Sequence, residues 1–279
     1  MTDTLQAERP APAATAEPIL LRDTRDHITT LTLNRPAARN SLSEAMLDAL
    51  TDTVIACGDD PATRVIVLAA NGPVFCAGHD MKEMTARRTD DDRGRAYFTD
   101  IMSRCATLMQ AIVACPKPVI AAVHATATAA GCQLVATCDL AVAGESAGFC
   151  TPGVHIGLFC STPMVALSRN VAPKHAMEML LTGDVVDAAK ALEFGLVNRI
   201  VPDSDVLVQA QELASVIASK SPATVATGKV AFYRQLEKPL AEAYAFAADV
   251  MVRNMLHVDA EEGIGAFLEK REPTWSDDA

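Results

Sequence analysis

Two stretches of the chain, RVIVLAA at 64–70 and PVIAAVH at 118–124, are apolar at every interior position. Side chains of a strand alternate between the two faces of its sheet, so a strand without polar interior positions is covered on both sides. That points to a parallel sheet sheltered by helices, and the flanking segments fit it. HITTLTLN (27–34) alternates β-branched and apolar residues and reads as a strand ending at the turn NRP. A helix follows, with Ser41 as its cap, Glu44 completing a capping box, and Leu42, Met46, Leu50 and Val54 on one face until Gly58 and Pro61 end it. Asp80, three residues before Glu83, marks a second helix start. A third helix is expected over 96–114, with Tyr97, Ile101, Leu108 and Ile112 on one side, closed by Pro116 and Pro118. DLAVA (139–143) returns as a strand, so the chain reads as an α/β core of short parallel strands.

Beyond residue 205 the pattern becomes helical only, over 205–219, 222–236, 240–256 and 260–270, with apolar faces that need the core or another subunit against them. Three regions are expected: a disordered, Ala/Pro-rich tail over 1–18, a core over 19–204 and a helical region over 205–279. The N-terminus has neither an apolar signal core nor an Arg-rich transit pattern, from which a cytoplasmic location is expected.

A formal charge of −11 argues against broad binding to nucleic acid or anionic membranes, which require an extended basic face. No apolar run approaches the roughly 20 residues needed to span a bilayer. The eight cysteines show no C-x-x-C spacing and read as buried free thiols. The six histidines are scattered, so no metal is expected.

The most informative segments are FCAGHDMK (75–82) and HATATAAGCQ (124–133), each a strand followed by small residues and a helix start. Such turns leave backbone N–H groups exposed at the positive end of a helix, where they can hold an anion or a carbonyl oxygen that becomes one. One N–H from each turn would make an oxyanion hole for a thioester if the two converge. Ordinary tight β–α connections use the same residue types.

The segments LNRPAARNSLS, VFCAGHDMKEM, PVIAAVHATATAAGCQLVATCDLAVA and FCTPGVHIGLFC, with AFLEKREPTW near the C-terminus, follow the order and spacing of the crotonase, or enoyl-CoA hydratase/isomerase, superfamily. The resemblance runs from about residue 20 to the end. It is closest to the enoyl-CoA-hydratase-domain-containing subgroup. It implies a crotonase-like spiral of strand–strand–helix repeats, a helical C-terminal trimerisation region (trimer, or hexamer as a dimer of trimers), and the acyl-CoA chemistry of fatty acid metabolism. Coenzyme A would be part of the substrate, with no separate cofactor. Carried over by position, the oxyanion donors fall on the backbone N–H of His79 and Ala130. Ala77, Asp80, Met81 and Lys82 match an acyl-CoA-binding segment, Ala37, Ala38 and Arg39 a loop meeting adenine and pantetheine, and Phe267 and Lys270 C-terminal positions near the nucleotide. Arg39, Lys82, Arg87 and Arg88 supply local positive charge for phosphates, although each also suits a solvated surface.

The resemblance breaks at both catalytic glutamates of the family's hydratases, whose positions fall on Gln133 and Gly153. An amide can orient water but cannot act as a general base, and glycine offers no side chain. His155 is a candidate substitute: in an extended segment, residues two apart share a face, which would turn it the same way as position 153. Cys132 is a second candidate but reads better as a small buried thiol. Each acid–base group contributes on the order of 10²–10⁴-fold, so water addition should be severely reduced. Two readings remain: an acyl-CoA enzyme with weak or altered activity, and a non-catalytic acyl-CoA-binding or assembly protein. Restoring both glutamates together is expected to raise hydration of a short enoyl-CoA.

Overall fold

The computed structural model describes residues 17–276. In chain order its first half holds β1 (Leu20–Arg25), β2 (Ile28–Leu33), α1 (Glu44–Asp59), β3 (Val65–Ala70), α2 (Met81–Ala86), α3 (Arg95–Ala114), β4 (Val119–Val123), β5 (Ala127–Thr128), α4 (Ala130–Thr137) and β6 (Leu140–Gly144). Then come β7 (Gly148–Cys150), α5 (Pro163–Asn170), α6 (Pro173–Thr182), β8 (Val186–Asp187), α7 (Ala188–Glu193) and β9 (Arg199–Val201). Four helices finish the chain: α8 (Val206–Ala218), α9 (Pro222–Leu236), α10 (Leu240–Met255) and α11 (Val258–Glu269). The tail expected over 1–18 lies outside the described residues except for its last two.

The main sheet has the order β1-β2-β3-β4-β6-β9 and is parallel from β2 onward. A smaller sheet has the order β5-β7-β8. After β4 and again after β6 the chain drops into this second sheet before turning helical, which is the strand–strand–helix spiral in its local form. The apolar strands divide their side chains as their alternation requires. Ile66, Leu68, Val119, Ala121 and Val123 face the core shared with α1, α3 and α4. Val65, Val67, Ala69, Ile120 and Ala122 face the other way, against Val206, Ala210, Ala214 and Ala218 of α8. The first C-terminal helix therefore belongs to the sheet's second covering layer.

Two local readings are corrected. The edge strand β1 was not anticipated, because LLRDTR is mostly polar and exposed; it pairs antiparallel with β2 around Asp26 and His27, both at positive φ. The cap of α1 is Ser43, which accepts from the Met46 N–H, not Ser41. A 3₁₀ turn at Pro36–Ala38 followed by left-handed Arg39 and Asn40 delays the helix, freeing the Ser41 hydroxyl to donate to Asp80 Oδ2 at 3.0 Å.

Helix α9 joins the core through a buried cation. Lys229 Nζ on α9 meets Asp139 Oδ2 at 2.7 Å and donates to the carbonyls of Ile112 and Lys117, while the Tyr233 hydroxyl donates to Asp139 Oδ1. By contrast, α10 and α11 leave large apolar side chains such as Tyr244, Leu256 and Phe267 exposed. No helix among the described residues is long and apolar enough to cross a membrane.

Candidate active site

The two small-residue turns converge. The segment after β3 is stitched on one side to β5 and on the other to the entry of α1. The Phe75 N–H donates to the Thr126 carbonyl, and the Thr128 N–H to the Cys76 carbonyl at 2.9 Å. On the far side the Leu42 N–H donates to the Gly78 carbonyl at 2.8 Å and the Asp80 N–H to the Leu42 carbonyl. In such pairing the residue between, His79, turns its own N–H away from Leu42. The neighbouring Gly78 comes so close to the other turn that a Cβ on it would lie 3.1 Å from Ala130 N. Ala130 opens α4, where its N–H has no intrahelical acceptor. Neither the His79 nor the Ala130 N–H has an acceptor among the described residues.

Two glycines and one alanine make this approach possible. Gly78 has φ +81°, and a Cβ on Gly131 would sit 2.2 Å from the Cys76 carbonyl oxygen. Ala129 is held at φ 50° and ψ −118°, an uncommon conformation for a residue with a side chain. Its N–H is tied to the Cys150 carbonyl at 2.9 Å.

Gln133 is 4% exposed, on a helix whose every residue is buried. Its Oε1 accepts from the Cys105 Sγ at 3.9 Å. Burial pushes the Cys105 thiol up to about 12, so it stays protonated and donates. Cys132 is fully buried and its thiol is likewise pushed up by burial, which removes the thiolate a nucleophile requires.

Gly153 is not an open gap. A Cβ there would lie 2.8 Å from the Leu158 carbonyl oxygen and 2.9 Å from the Cys160 Sγ, and the Leu158 N–H already donates to the Gly153 carbonyl. The segment is a 3₁₀ turn, Pro152–Ile156, not the extended stretch expected. With three residues per turn, positions 153 and 155 no longer share a face. His155 is accordingly exposed, its Nε2 2.8 Å from the Thr182 carbonyl.

His79 has an unexpected side chain. Both ring nitrogens are buried without a well-formed hydrogen bond. Burial pushes the imidazole down, and the nearby Leu42 carbonyl offsets this only in part. Asp80 is the cap of α2, accepting from the Lys82 and Glu83 N–H groups, and it pairs with Arg35 at 3.3 Å. Its burial would raise its pKa, but hydrogen bonds from Ser41, Lys82 and Glu83 with the Arg35 charge hold it below the usual carboxylate range.

The expected coenzyme residues are placed variously. Ala77 is half-buried, its N–H on the Arg39 carbonyl. Ala37, Arg39, Met81 and Lys82 are exposed, and Ala38 is half-buried. Phe267 and Lys270 are exposed at the end of α11. Arg87 lies over the Tyr97 ring at 5.1 Å and Arg88 over Phe98 at 5.6 Å. The most important residue not singled out from sequence is Asn40. Fully buried, it donates to the Asn71 and Val74 carbonyls at 2.8 Å and accepts from the Arg35 N–H, clamping the loops around the site. Its signal was an Asn just before a helix start, since Asn tolerates the left-handed backbone found there. Among the described residues, no group of three or more His, Cys, Asp or Glu side chains is placed to hold a metal.

The family model for enoyl-CoA hydratase/isomerase matches residues 23–278. The chain belongs to that family. It is 45% identical over 252 residues to "Enoyl-CoA hydratase domain-containing protein 3, mitochondrial" of Rattus norvegicus, covering 90% of this chain and 82% of the relative. The human protein of that name is also 45% identical, with 90% and 81% covered. Among solved structures, an enoyl-CoA hydratase from Mycobacterium smegmatis is 51% identical with a TM-score of 0.88, covering 93% of this chain and 99% of that one. Human enoyl coenzyme A hydratase domain-containing protein 3 is 43% identical with a TM-score of 0.87, covering 92% and 100%. The crotonase-like fold and subgroup expected from the motifs are thus borne out. The cytoplasmic location is not: the rat and human relatives are named mitochondrial, which overturns that expectation.

Proposed function

We propose that the protein binds acyl-coenzyme A thioesters and polarises the thioester carbonyl between the backbone N–H groups of His79 and Ala130, without the acid–base pair that water addition requires. The observation that carries this reading is the convergence of the two turns, with both N–H groups lacking an acceptor among the described residues. Donors fixed in place before the ligand arrives stabilise negative charge on a carbonyl oxygen without reorganising. Gln133 offers no base, the position of Gly153 is filled by its own loop, and Cys132 is held as a thiol. Exposed Arg39 and Lys82 flank the site in sequence and suit the coenzyme's phosphates; the lone ends of α10 and α11 suit a second copy of the chain, in a trimer or dimer of trimers.

The test is a panel of saturated, unsaturated, oxo- and hydroxyacyl-CoA esters, with binding read by calorimetry and conversion by mass spectrometry. Binding without hydration of the enoyl esters is the expected outcome. Rapid hydration would show that an acid–base pair operates from residues not identified, and absence of binding across the panel would end the thioester reading. The alternative within the same site is a protein that binds thioesters without converting them. It is favoured by the closed position at Gly153 and is distinguished by unchanged masses for every ester bound.

A further inference from the structure

Helices α1 and α3 leave an open groove of about 470 Å³ between their C-terminal ends. Its floor forms where the two helix ends close on each other: a Cβ on Gly58 would lie 3.4 Å from Pro116 Cδ and 3.5 Å from Cys115 Sγ. On the α3 side the wall is Ala111 and Ala114, too small to fill the space beside Ile55. Ile55 is 52% exposed, and no other large apolar side chain of α1 is exposed.

The charges around this apolar seat have one sign. Asp52 and Asp59 stand three residues before and four residues after Ile55, on the same exposed face of α1. Two turns separate them, about 10.5 Å along the helix axis. Neither carboxylate has an ion pair or hydrogen bond among the described residues. Their neighbours are neutralised, Asp48 by Arg104 and Asp60 by Arg22. No lysine, arginine or histidine among the described residues lines the groove. A helix laid between α1 and α3 complements this surface when it sets one aliphatic side chain beside Ile55 and a cation over each carboxylate. Cations seven residues apart have the required separation.

A second copy of the chain does not carry that pattern. Among its described α-helices, two cations occur together only in α3, where Arg95 and Arg104 are nine residues apart, and in α9, where Lys229 and Arg234 are five apart. The first 16 residues hold a single basic residue, Arg9. We propose that the groove between α1 and α3 docks an amphipathic helix of another protein, with two basic side chains seven residues apart and an aliphatic side chain between them. This surface is independent of the thioester reading.

The experiment uses two fluorescent, alanine-based helical peptides of identical composition, each with one leucine and two lysines. In the matched peptide the lysines lie seven residues apart on the leucine's face; in the other they lie on the opposite face. Two exposed ion pairs together correspond to about a 2- to 30-fold difference in affinity. The full-length protein should prefer the matched peptide by that factor in anisotropy titrations, and the preference should shrink in high salt. Ile55→Glu should abolish binding of both peptides. Asp52→Lys combined with Asp59→Lys should transfer the preference to a matched peptide with glutamates in place of the lysines; all three positions are exposed, and melting curves check that the variants fold. Equal affinity of the wild-type protein for both peptides, or no binding of either, would overturn the proposal. So would a lower assembly mass of Ile55→Glu in light scattering, since the groove would then be covered by another copy of this chain.

Discussion

Adding one methyl group at Gly131 should damage both the stability and the proposed thioester site. The Cβ of an alanine there would lie 2.2 Å from the Cys76 carbonyl oxygen and 2.8 Å from both the Cys76 carbonyl carbon and Cβ. Comfortable separations between such atoms are about 3.5 Å, so one backbone must retreat by roughly 1 Å. Neither can do so freely. The Cys76 carbonyl holds the Thr128 N–H at 2.9 Å, and Gly131 sits in the first turn of α4 directly after the Ala130 donor. Overpacking of this kind costs about 1–3 kcal/mol, and loss of the Thr128 hydrogen bond adds about 1 kcal/mol. For a chain of this size the sum corresponds to a melting temperature lower by about 5–10 °C. Gly228→Ala is the control: it lies within α9 with nothing within 4 Å of an added Cβ, and should gain about 1 kcal/mol from helix propensity. Thermal unfolding of both variants, together with acetoacetyl-CoA titration, measures the effect. Wild-type melting and affinity in Gly131→Ala would refute the close approach of the two turns, and with it the geometry of the proposed oxyanion hole.

Gly153→Ala should lower stability by about 1–3 kcal/mol, since its Cβ meets a backbone carbonyl and a sulfur. For the same reason, Gln133→Glu combined with Gly153→Glu should leave crotonyl-CoA hydration at background, contrary to what the sequence suggests; a clear rise in the absorbance assay would mean that the 157–160 loop opens. Lys229→Met leaves the Asp139 carboxylate uncompensated at a site where the lysine side chain is 5% and the aspartate 15% exposed, and should cost about 3–5 kcal/mol by denaturant unfolding; replacing Asp139 as well should recover part of that loss. His79, whose imidazole is pushed down by burial, binds fewer protons folded than unfolded below its ordinary value of 6.5. Stability should therefore fall as pH drops through about 6.5 toward 5, and His79→Leu should flatten that slope in melts across this range; an unchanged slope would show that the imidazole charges freely in the folded chain.

What could be read from sequence, and what could not, follows from the range of the forces involved. The apolar runs in β3 and β4 demand burial on both faces, and they have it. Helical periodicity placed α8 to α11 within a residue or two because it records which side of each helix meets other groups. The cap of α1 failed because Ser41 and Ser43 offer the same hydroxyl two residues apart, and only the left-handed pair Arg39–Asn40 decides between them. At the site, Ala130 and His79 were legible as turn residues, whereas their convergence depends on Cys76 and Gly131, two small residues whose contact spans 55 positions and leaves no local pattern. Gly153 shows the same limit from the other direction. An absent side chain in sequence suggests room, but the chain uses the absence to bring the Leu158 carbonyl and Cys160 against its own backbone. The two positions on which the resemblance puts the family's glutamates are therefore unequal. Gln133 keeps a polar side chain, held through its Oε1 by the Cys105 thiol, while Gly153 lies against its own loop with no room for a larger side chain.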